Sequence, residues 1–190
     1  FLQIKQMIFN ATCIEGLYIV TRDLIKDGRG EFFRIFDANI SNKIGFKDPI
    51  VQSNFSKNND IGTIRGMHYQ HSGFEEDKLV TCTKGKIFDV AIDIRQDSPT
   101  FLEWFGVVLD AKKHTSLFIP KGFAHGYQTL CNNCEIFYLH TNYYTKNCEG
   151  SINPFDSKIS IEWPLECQEI SEKDRSTVMI NDKFCGVPVK

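Results

Sequence analysis

The sequence has no long apolar run and no cluster of lysines and arginines. A bilayer span needs about 18 consecutive apolar residues, and every apolar stretch here is far shorter. The 22 basic and 24 acidic residues give a net charge of −2, without the basic footprint that binds nucleic acid or anionic lipid. The opening FLQIKQMIF has too short an apolar core for a signal peptide. We therefore expect a cytoplasmic protein without nucleic-acid or membrane partners.

The seven cysteines lack the dense, regular spacing of a secreted disulfide scaffold, and their number is odd. We expect reduced thiols. One Cys-x-x-Cys motif, CNNC at 131–134, is half of a zinc ribbon, but no second pair lies at a ribbon-like distance. We interpret it as a polar turn between strands and predict no metal site.

Long helical patterns are also missing. Residues 16–144 form short β-rich runs separated by turn residues, and the chain has 16 phenylalanines. About ten such strands without an internal repeat predict an all-β fold, a closed or double-sheet barrel of jelly-roll type. No linker interrupts the pattern, so a single domain is expected over 1–190. If Met7 is the native start, residues 1–6 were added for expression.

Local patterns predict three further features. The segment KIFDVAIDI (86–94) alternates with period two, which is typical of a half-buried antiparallel strand. Its apolar and acidic side chains fall on opposite faces, with Phe88, Val90, Ile92 and Ile94 on one and Asp89 and Asp93 on the other. Lys84-Gly85 before it predicts a hairpin with the preceding strand. ISEKDRS (170–176) predicts a short helix, with Ser171 as its cap and Asp174 three residues later.

Four polar residues fall in strand-like runs of the predicted barrel: His68, Lys78, His125 and Tyr138. A lone inward histidine is usually a hydrogen-bonded core residue. Several polar groups in one interior change that interpretation, because burying a lysine without a partner or ligand is costly. A barrel can bring residues that are distant in sequence into one cavity.

The direction of two side chains depends on local geometry. In a regular strand Arg65 and His68 point to opposite faces, so we expect a bulge at Gly66 that re-aims one of them. Phe137 and Tyr138 are adjacent, and only one of them can enter the cavity.

A set of motifs, in order along nearly the whole chain, resembles the dTDP-4-dehydrorhamnose 3,5-epimerases, cupin-fold enzymes of deoxysugar nucleotide biosynthesis. The blocks are DGRGEFFRIF (27–36), IVQSNFS (50–56), GTIRGMHYQ (62–70), DKLV (77–80), GKIFDVAIDIRQDSPTF (85–101), FIPKGFAHG (118–126), FYLHTNYY (137–144), IEWP (161–164) and SEKDR (171–175). The resemblance implies a cupin-type double-stranded β-helix with a few short peripheral helices. It also implies cofactor-independent epimerisation of a nucleotide-linked 4-keto-6-deoxy sugar at C3 and C5, through enolates.

By this resemblance His68 is the base and Asp174 is the carboxylate that orients it. An imidazole has an ordinary pKa near 6.5, so about half of it is available as a base close to neutral pH. The alternative role of Asp174 is helix capping alone. Lys78 supplies positive charge to the enolate oxygen, Tyr138 is the general acid on the opposite face, and His125 lines the sugar.

The resemblance also implies a nucleotide-binding set and a dimer. Arginines pair with diphosphate oxygens through their planar fork, and aromatic and amide groups bind the base. The implied residues are Arg29, Arg65, Phe32, Gln52, Asn54, Tyr144 and Glu149. Part of this set would come from the neighbouring subunit of a homodimer that exchanges N-terminal strands.

The chain departs from the family pattern at CEGSINPFD (148–156). Gly150 stands where an arginine is usual and Pro154 where a tryptophan is usual, while Glu149, Ile152 and Asp156 are retained. Leu139 and Asn142 also replace a commoner lysine and aspartate. The loop near the nucleotide is therefore expected to differ.

Three alternatives remain open at this stage. A single-site epimerase, or one acting on another nucleotide sugar, fits the same motifs. A metal-dependent cupin would use His68, His71, Glu75 and His125 as ligands, but the usual His-x-His pair is absent and nearby cations would repel a metal. A non-catalytic sugar-binding cupin needs no base and acid pair.

Overall fold

The computed structural model describes residues 7–189, so the prediction for residues 1–6 lies outside the described part of the chain. Short strands account for most of the regular structure. In chain order they are β1 (Met7–Ala11), β2 (Tyr18–Arg22), β3 (Ile25–Asp27), β4 (Gly30–Phe32), β5 (Gln52–Asn58), β6 (Thr63–Gln70), β7 (Lys78–Lys84), β8 (Lys86–Asp93), β9 (Trp104–Asp110), β10 (Ser116–Ile119), β11 (Phe123–Thr129), β12 (Cys134–His140), β13 (Glu149–Ser151) and β14 (Glu169–Ile170).

Two sheets face each other. The first has the order β1-β2-β10-β7-β12-β5 and the second the order β13-β6-β11-β8-β9, with β14 added parallel to the start of β6. Strands β3 and β4 form a separate hairpin. The helices are short: α1 (Ala38–Ser41), α2 (Glu172–Arg175) and three 3-10 turns at Asn42–Ile44, Ala111–Lys113 and Lys146–Cys148. The predicted cupin-type jelly roll is confirmed.

Period-two alternation decides which side chains enter the space between the sheets. On β12, Ile136 packs into the central core while Leu139 packs outside the first sheet. Because successive residues of a strand point to opposite faces, Tyr138 lies on the same inward face as Ile136. Tyr138, not Phe137, enters the interior.

Strand β8 is buried on both faces, so the prediction of a half-buried strand is wrong. Ile87 and Ala91 pack between the sheets, and Val90 and Ile92 pack outward against the C-terminal part of the chain. Asp89 lies on the inward face with no solvent exposure. The C-terminal part of the chain covers the apolar face of β8, so the face that carries Asp89 lines the interior.

The predicted hairpin at Lys84-Gly85 is also wrong. The turn exists, but β7 belongs to the first sheet and β8 to the second, so the chain crosses between sheets there. CNNC forms a turn between β11 and β12, as predicted, and all seven cysteines are free thiols. No helix within residues 7–189 has the length and apolar character needed to cross a bilayer.

Candidate active site

A cavity of about 590 Å³ lies between the two sheets. Strands β5, β7 and β12 of the first sheet and β6 and β11 of the second supply its walls, together with residues from the α2 segment. Ten of the twelve residues nominated from the sequence line it, which leaves only Arg29 and Phe32 outside. The ten are Gln52, Asn54, Arg65, His68, Lys78, His125, Tyr138, Tyr144, Glu149 and Asp174.

His68 and Asp174 form a hydrogen-bonded pair on the wall of the cavity. The distance from His68 Nε2 to Asp174 Oδ1 is 2.7 Å, and Asp174 Oδ2 accepts a hydrogen bond from the Gly66 amide. Ser171 caps α2 by accepting from the Asp174 amide, so the predicted cap and the predicted contact occur together. Burial alone would raise the pKa of the Asp174 carboxyl, but the hydrogen bond and charge of His68 outweigh it and hold that pKa below its ordinary value.

A bulge at Gly66 turns Arg65 and His68 into the same cavity. His125 of β11 pairs with His68 and Tyr127 with Arg65, so two residues of β6 oppose one residue of β11. Gly66 has a φ of +113°, and a Cβ there would lie 2.6 Å from the His125 carbonyl oxygen. This position therefore requires glycine. The predicted bulge is confirmed.

Lys78 is buried and paired with a carboxylate. Its side chain is 11% exposed, and its Nζ lies 3.2 Å from Glu76 Oε1. The other oxygen of Glu76 accepts from His140 Nδ1 at 2.8 Å. Burial would raise the pKa of the Glu76 carboxyl, but Lys78 and His140 reverse the effect and lower it. Sequence reasoning missed both residues, although Glu76 directly precedes the DKLV block and His140 lies within FYLHTNYY.

Tyr138 lines the cavity from the sheet opposite to that of His68 and His125. Its ring makes an edge contact with His125 at 6.2 Å between centroids and stacks on His140 at 5.9 Å. Burial raises the pKa of the Tyr138 phenol well above its ordinary value, so the phenol holds its proton. A proton donor on this wall thus stands opposite the imidazole of His68.

His125 belongs to a second imidazole and carboxylate pair that the sequence did not reveal. Its Nε2 lies 2.8 Å from Asp89 Oδ1, and Asp89 is fully buried. The second carboxylate oxygen, Asp89 Oδ2, has no hydrogen-bond partner among the described residues. Period two correctly placed Asp89 opposite Val90 but could not tell which face points inward.

The mouth of the cavity carries a second set of polar groups. Tyr144 donates a hydrogen bond to Glu149 Oε2 at 3.0 Å, and Lys173 Nζ lies 2.5 Å from the same oxygen. Glu149 raises the pKa of the Tyr144 phenol through that hydrogen bond. Gln52 donates to Asn54, and it accepts from the Tyr144 amide.

Arg65 is the cavity cation with the freest donors. Its Nε donates to Asn58 Oδ1 at 2.7 Å, and no carboxylate within residues 7–189 forms an ion pair with it. Lys78 and Lys173, by contrast, are each paired with a glutamate. The planar guanidinium fork of Arg65 is therefore available to a phosphate group.

Arg29 and Phe32 lie away from the cavity, on the β3–β4 hairpin. Arg29 pairs with Asp27 and its side chain is 88% exposed, while Phe32 is 57% exposed. The hairpin is held at its base by Arg22, which donates to the carbonyl oxygens of Arg34 and Ile35. Neither Arg29 nor Phe32 lines the cavity of its own chain.

The four ligands nominated for a metal site are not assembled into one. His68 and His125 line the cavity, each with its own carboxylate partner, while His71 and Glu75 do not line it. Across residues 7–189 no group of three or more histidine, cysteine, aspartate or glutamate side chains is arranged to hold a metal ion.

Comparison with known proteins places the chain in a family. A sequence profile described as dTDP-4-dehydrorhamnose 3,5-epimerase matches residues 11–182. The chain belongs to the dTDP-4-dehydrorhamnose 3,5-epimerase family. The enzyme of that name from Salmonella typhimurium is 41% identical over 177 residues, covering 92% of this chain and 96% of the relative.

Solved structures of the family share the whole fold. The dTDP-6-deoxy-D-glucose-3,5-epimerase of Legionella pneumophila, in complex with dTDP-4-keto-L-rhamnose, superposes with a TM-score of 0.90 at 37% identity, covering 97% of this chain and 100% of that one. A 3'-monoepimerase of Streptomyces bikiniensis in complex with dTDP-quinovose superposes at 0.81 with 28% identity, covering 88% of this chain and 85% of that one. The family fold therefore accompanies both double and single epimerisation.

Proposed function

We propose that this chain epimerises a nucleotide-linked 4-keto-6-deoxy sugar at C3 and C5, converting dTDP-4-keto-6-deoxyglucose to dTDP-4-keto-rhamnose through enolates without a cofactor. One observation carries the proposal: His68 of the second sheet, paired with Asp174 of helix α2, lines the same cavity as Tyr138 and Lys78 of the first sheet. A base on one wall and an acid on the other can remove a proton from one face of a carbon and return one to the opposite face.

His68 removes the proton. Because its Nε2–H is donated to Asp174, its Nδ1 carries the lone pair that can act as the base. The imidazolium formed in this step is stabilised by the Asp174 carboxylate, whose lowered pKa keeps it ionised. Proton transfer from C3 or C5 then depends on how well the negative charge of the resulting enolate is stabilised.

Lys78 stabilises the negative charge that develops on the C4 oxygen of the enolate. A carbon acid weaker than imidazolium by about ten pK units makes the transfer uphill by about 14 kcal/mol. A fixed ammonium next to the C4 oxygen lowers that cost because charge develops there in the transition state. Tyr138, whose raised pKa keeps its phenol protonated, then delivers a proton from the other face.

The nucleotide half of the substrate is assigned to the mouth of the cavity. Arg65 supplies a guanidinium fork for the diphosphate, and Gln52, Asn54 and Tyr144 supply amide and aromatic contacts for the base. Glu149 holds Tyr144 in place through its hydrogen bond. His125, with Asp89 behind it, lines the sugar site.

Arg29 and Phe32 support a homodimer. Both are exposed on hairpin β3–β4, and neither lines the cavity of its own chain. Strand β2 pairs with this chain's own β10, and β1 pairs with β2. Hairpin β3–β4 is therefore the segment left to exchange, and we propose that it completes the partner's cavity in a cytoplasmic enzyme. Sedimentation should give a dimer, and Arg29→Ala should weaken nucleotide binding; a monomer with full affinity contradicts this assembly.

The test of the reaction is the stereochemistry of the product. Purified protein is incubated with dTDP-4-keto-6-deoxyglucose, and proton NMR follows the configurations at C3 and C5, with His68→Asn as the control. Inversion at both carbons supports the proposal. Inversion at one carbon indicates a single-site epimerase, and no inversion by protein that binds thymidine diphosphate contradicts the proposed reaction.

A further inference from the structure

Glu76 connects two of the groups assigned to catalysis. It lies two residues before Lys78 and contacts Lys78 Nζ through one carboxylate oxygen and His140 Nδ1 through the other. The side chains of Glu76 and His140 are 10% and 9% exposed. The ring of His140 in turn stacks on the ring of Tyr138, with 24° between the planes.

A buried carboxylate at this place has an electrostatic cost. The cavity is assigned to an anionic substrate, and Glu76 partly neutralises the cation that should stabilise the enolate oxygen. Its compensating effect is on position. A lysine side chain has a flexible four-carbon stem, and the contact with Glu76 fixes where the ammonium lies.

His140 links Glu76 to Tyr138. Its Nδ1–H is donated to Glu76, and its Nε2 accepts from the side-chain Nδ2 of Asn54 at 3.2 Å. Two hydrogen bonds at opposite ends of the ring leave it little rotational freedom. The stacked ring of Tyr138 is thereby held against a fixed surface.

We propose that Glu76 and His140 are positioning residues for the epimerisation. Glu76 sets the ammonium of Lys78 where the enolate oxygen develops, and through His140 it holds the ring of Tyr138, so that the electron acceptor and the proton donor keep one relative geometry. This inference rests on the proposed function of the same cavity. Its consequence is that the two residues affect different steps.

Glu76→Gln and His140→Phe separate those steps. Glu76→Gln removes the charge opposite Lys78 at constant size, and kcat should fall about 10- to 100-fold with little change in KM, as for other groups that orient a catalytic residue. His140→Phe keeps an aromatic ring against Tyr138 but loses both hydrogen bonds. Because His68 and Lys78 still form the enolate, this variant should incorporate solvent deuterium with retention of configuration faster than it inverts.

The measurement compares the rate of deuterium incorporation from heavy water with the rate of inversion for each variant. Glu135→Gln is the matched control. Glu135 lies on the same strand as His140 and pairs with Lys57 and Lys84, but it does not line the cavity. In the Glu76→Gln/His140→Phe double variant the two losses should be less than additive, since Glu76 and His140 contact each other.

Each outcome decides a separate claim. Wild-type kcat in Glu76→Gln, or an unchanged ratio of exchange to inversion in His140→Phe, overturns the positioning roles. A loss confined to KM overturns them as well, because it would place both residues in substrate binding. If Glu76→Gln does not fold, His140→Phe decides alone. A wild-type protein that neither exchanges nor inverts refutes the proposed function itself.

Discussion

The imidazole of His68 and the carboxylate of Asp174, 106 residues apart in the chain, lie 2.7 Å from each other. Strand β6 supplies the first and helix α2 the second. Since Asp174 also accepts from the Gly66 amide, the carboxylate is fixed to the same bulge that turns His68 into the cavity. The orientation of the imidazole thus depends on one buried acid.

Asp174→Asn should inactivate the enzyme without unfolding it. The amide would donate to His68 Nε2 and move the imidazole proton to Nδ1, which removes the lone pair facing the cavity. We expect kcat to fall by about 10³-fold or more, with affinity for thymidine diphosphate within about twofold. Steady-state kinetics and calorimetry check this, with the exposed Glu172→Gln of the same helix as control. Near-normal turnover would mean that Asp174 does not orient the catalytic base.

Tyr138→Phe should separate the two proton transfers. The variant keeps the stacked ring but loses the donor, so enolate formation at His68 continues while delivery from the other face fails. Inversion should fall about 10²-fold, with deuterium exchange much less affected. Parallel mass spectrometry and proton NMR provide the comparison. An equal loss of exchange and inversion would assign Tyr138 to binding or to enolate formation.

Arg65→Lys should weaken nucleotide binding more than it slows the chemistry. Lysine keeps the charge but loses the planar fork and the bond to Asn58. Affinity for thymidine diphosphate should fall about tenfold at fixed salt, with kcat at saturation nearly unchanged. Isothermal titration calorimetry is the readout. Wild-type affinity in this variant would place the diphosphate elsewhere.

Asp77→Asn should stabilise the protein at neutral pH. Burial raises the pKa of the Asp77 carboxyl from 3.8 to about 6 in the folded state, so the folded state binds this proton more tightly than the unfolded state does. The free energy of unfolding therefore declines as pH rises from about 4 to about 6, by about 2–3 kcal/mol. Asparagine keeps the oxygen that accepts from the Lys121 amide and cannot ionise.

Denaturant unfolding of both proteins across this pH range tests the effect. Asp77→Asn should gain stability over the wild type at about pH 7.5, and the gain should vanish near pH 4. A constant difference at every pH would show that packing, rather than ionisation, separates the two proteins.

Several features could be predicted from the sequence because they depend on short-range geometry. The bulge at Gly66 follows from the spacing of Arg65 and His68 together with the only intervening residue that tolerates a positive φ. The cap at Ser171 follows from a local motif. The contact of His68 with Asp174 came from resemblance to the family, since no local rule joins residues so far apart.

Other features depended on tertiary context. Alternation on β8 places Asp89 and Val90 on opposite faces of the strand. It does not show that the C-terminal residues cover the apolar face and leave the acidic face pointing inward. Nothing near Gly85 shows that the chain crosses between sheets rather than forming a hairpin. Glu76 and His140 were missed because their contact joins the segment before β7 to strand β12, 64 residues away in the chain.

The most direct test of the central claim counts deuterons. The protein is incubated with dTDP-4-keto-6-deoxyglucose in heavy water, and the product is analysed by mass spectrometry and proton NMR. An enolate mechanism at both positions predicts two solvent deuterons, at C3 and at C5, and none with His68→Asn. Inverted product that carries no solvent deuterium would contradict proton removal by His68 and delivery by Tyr138.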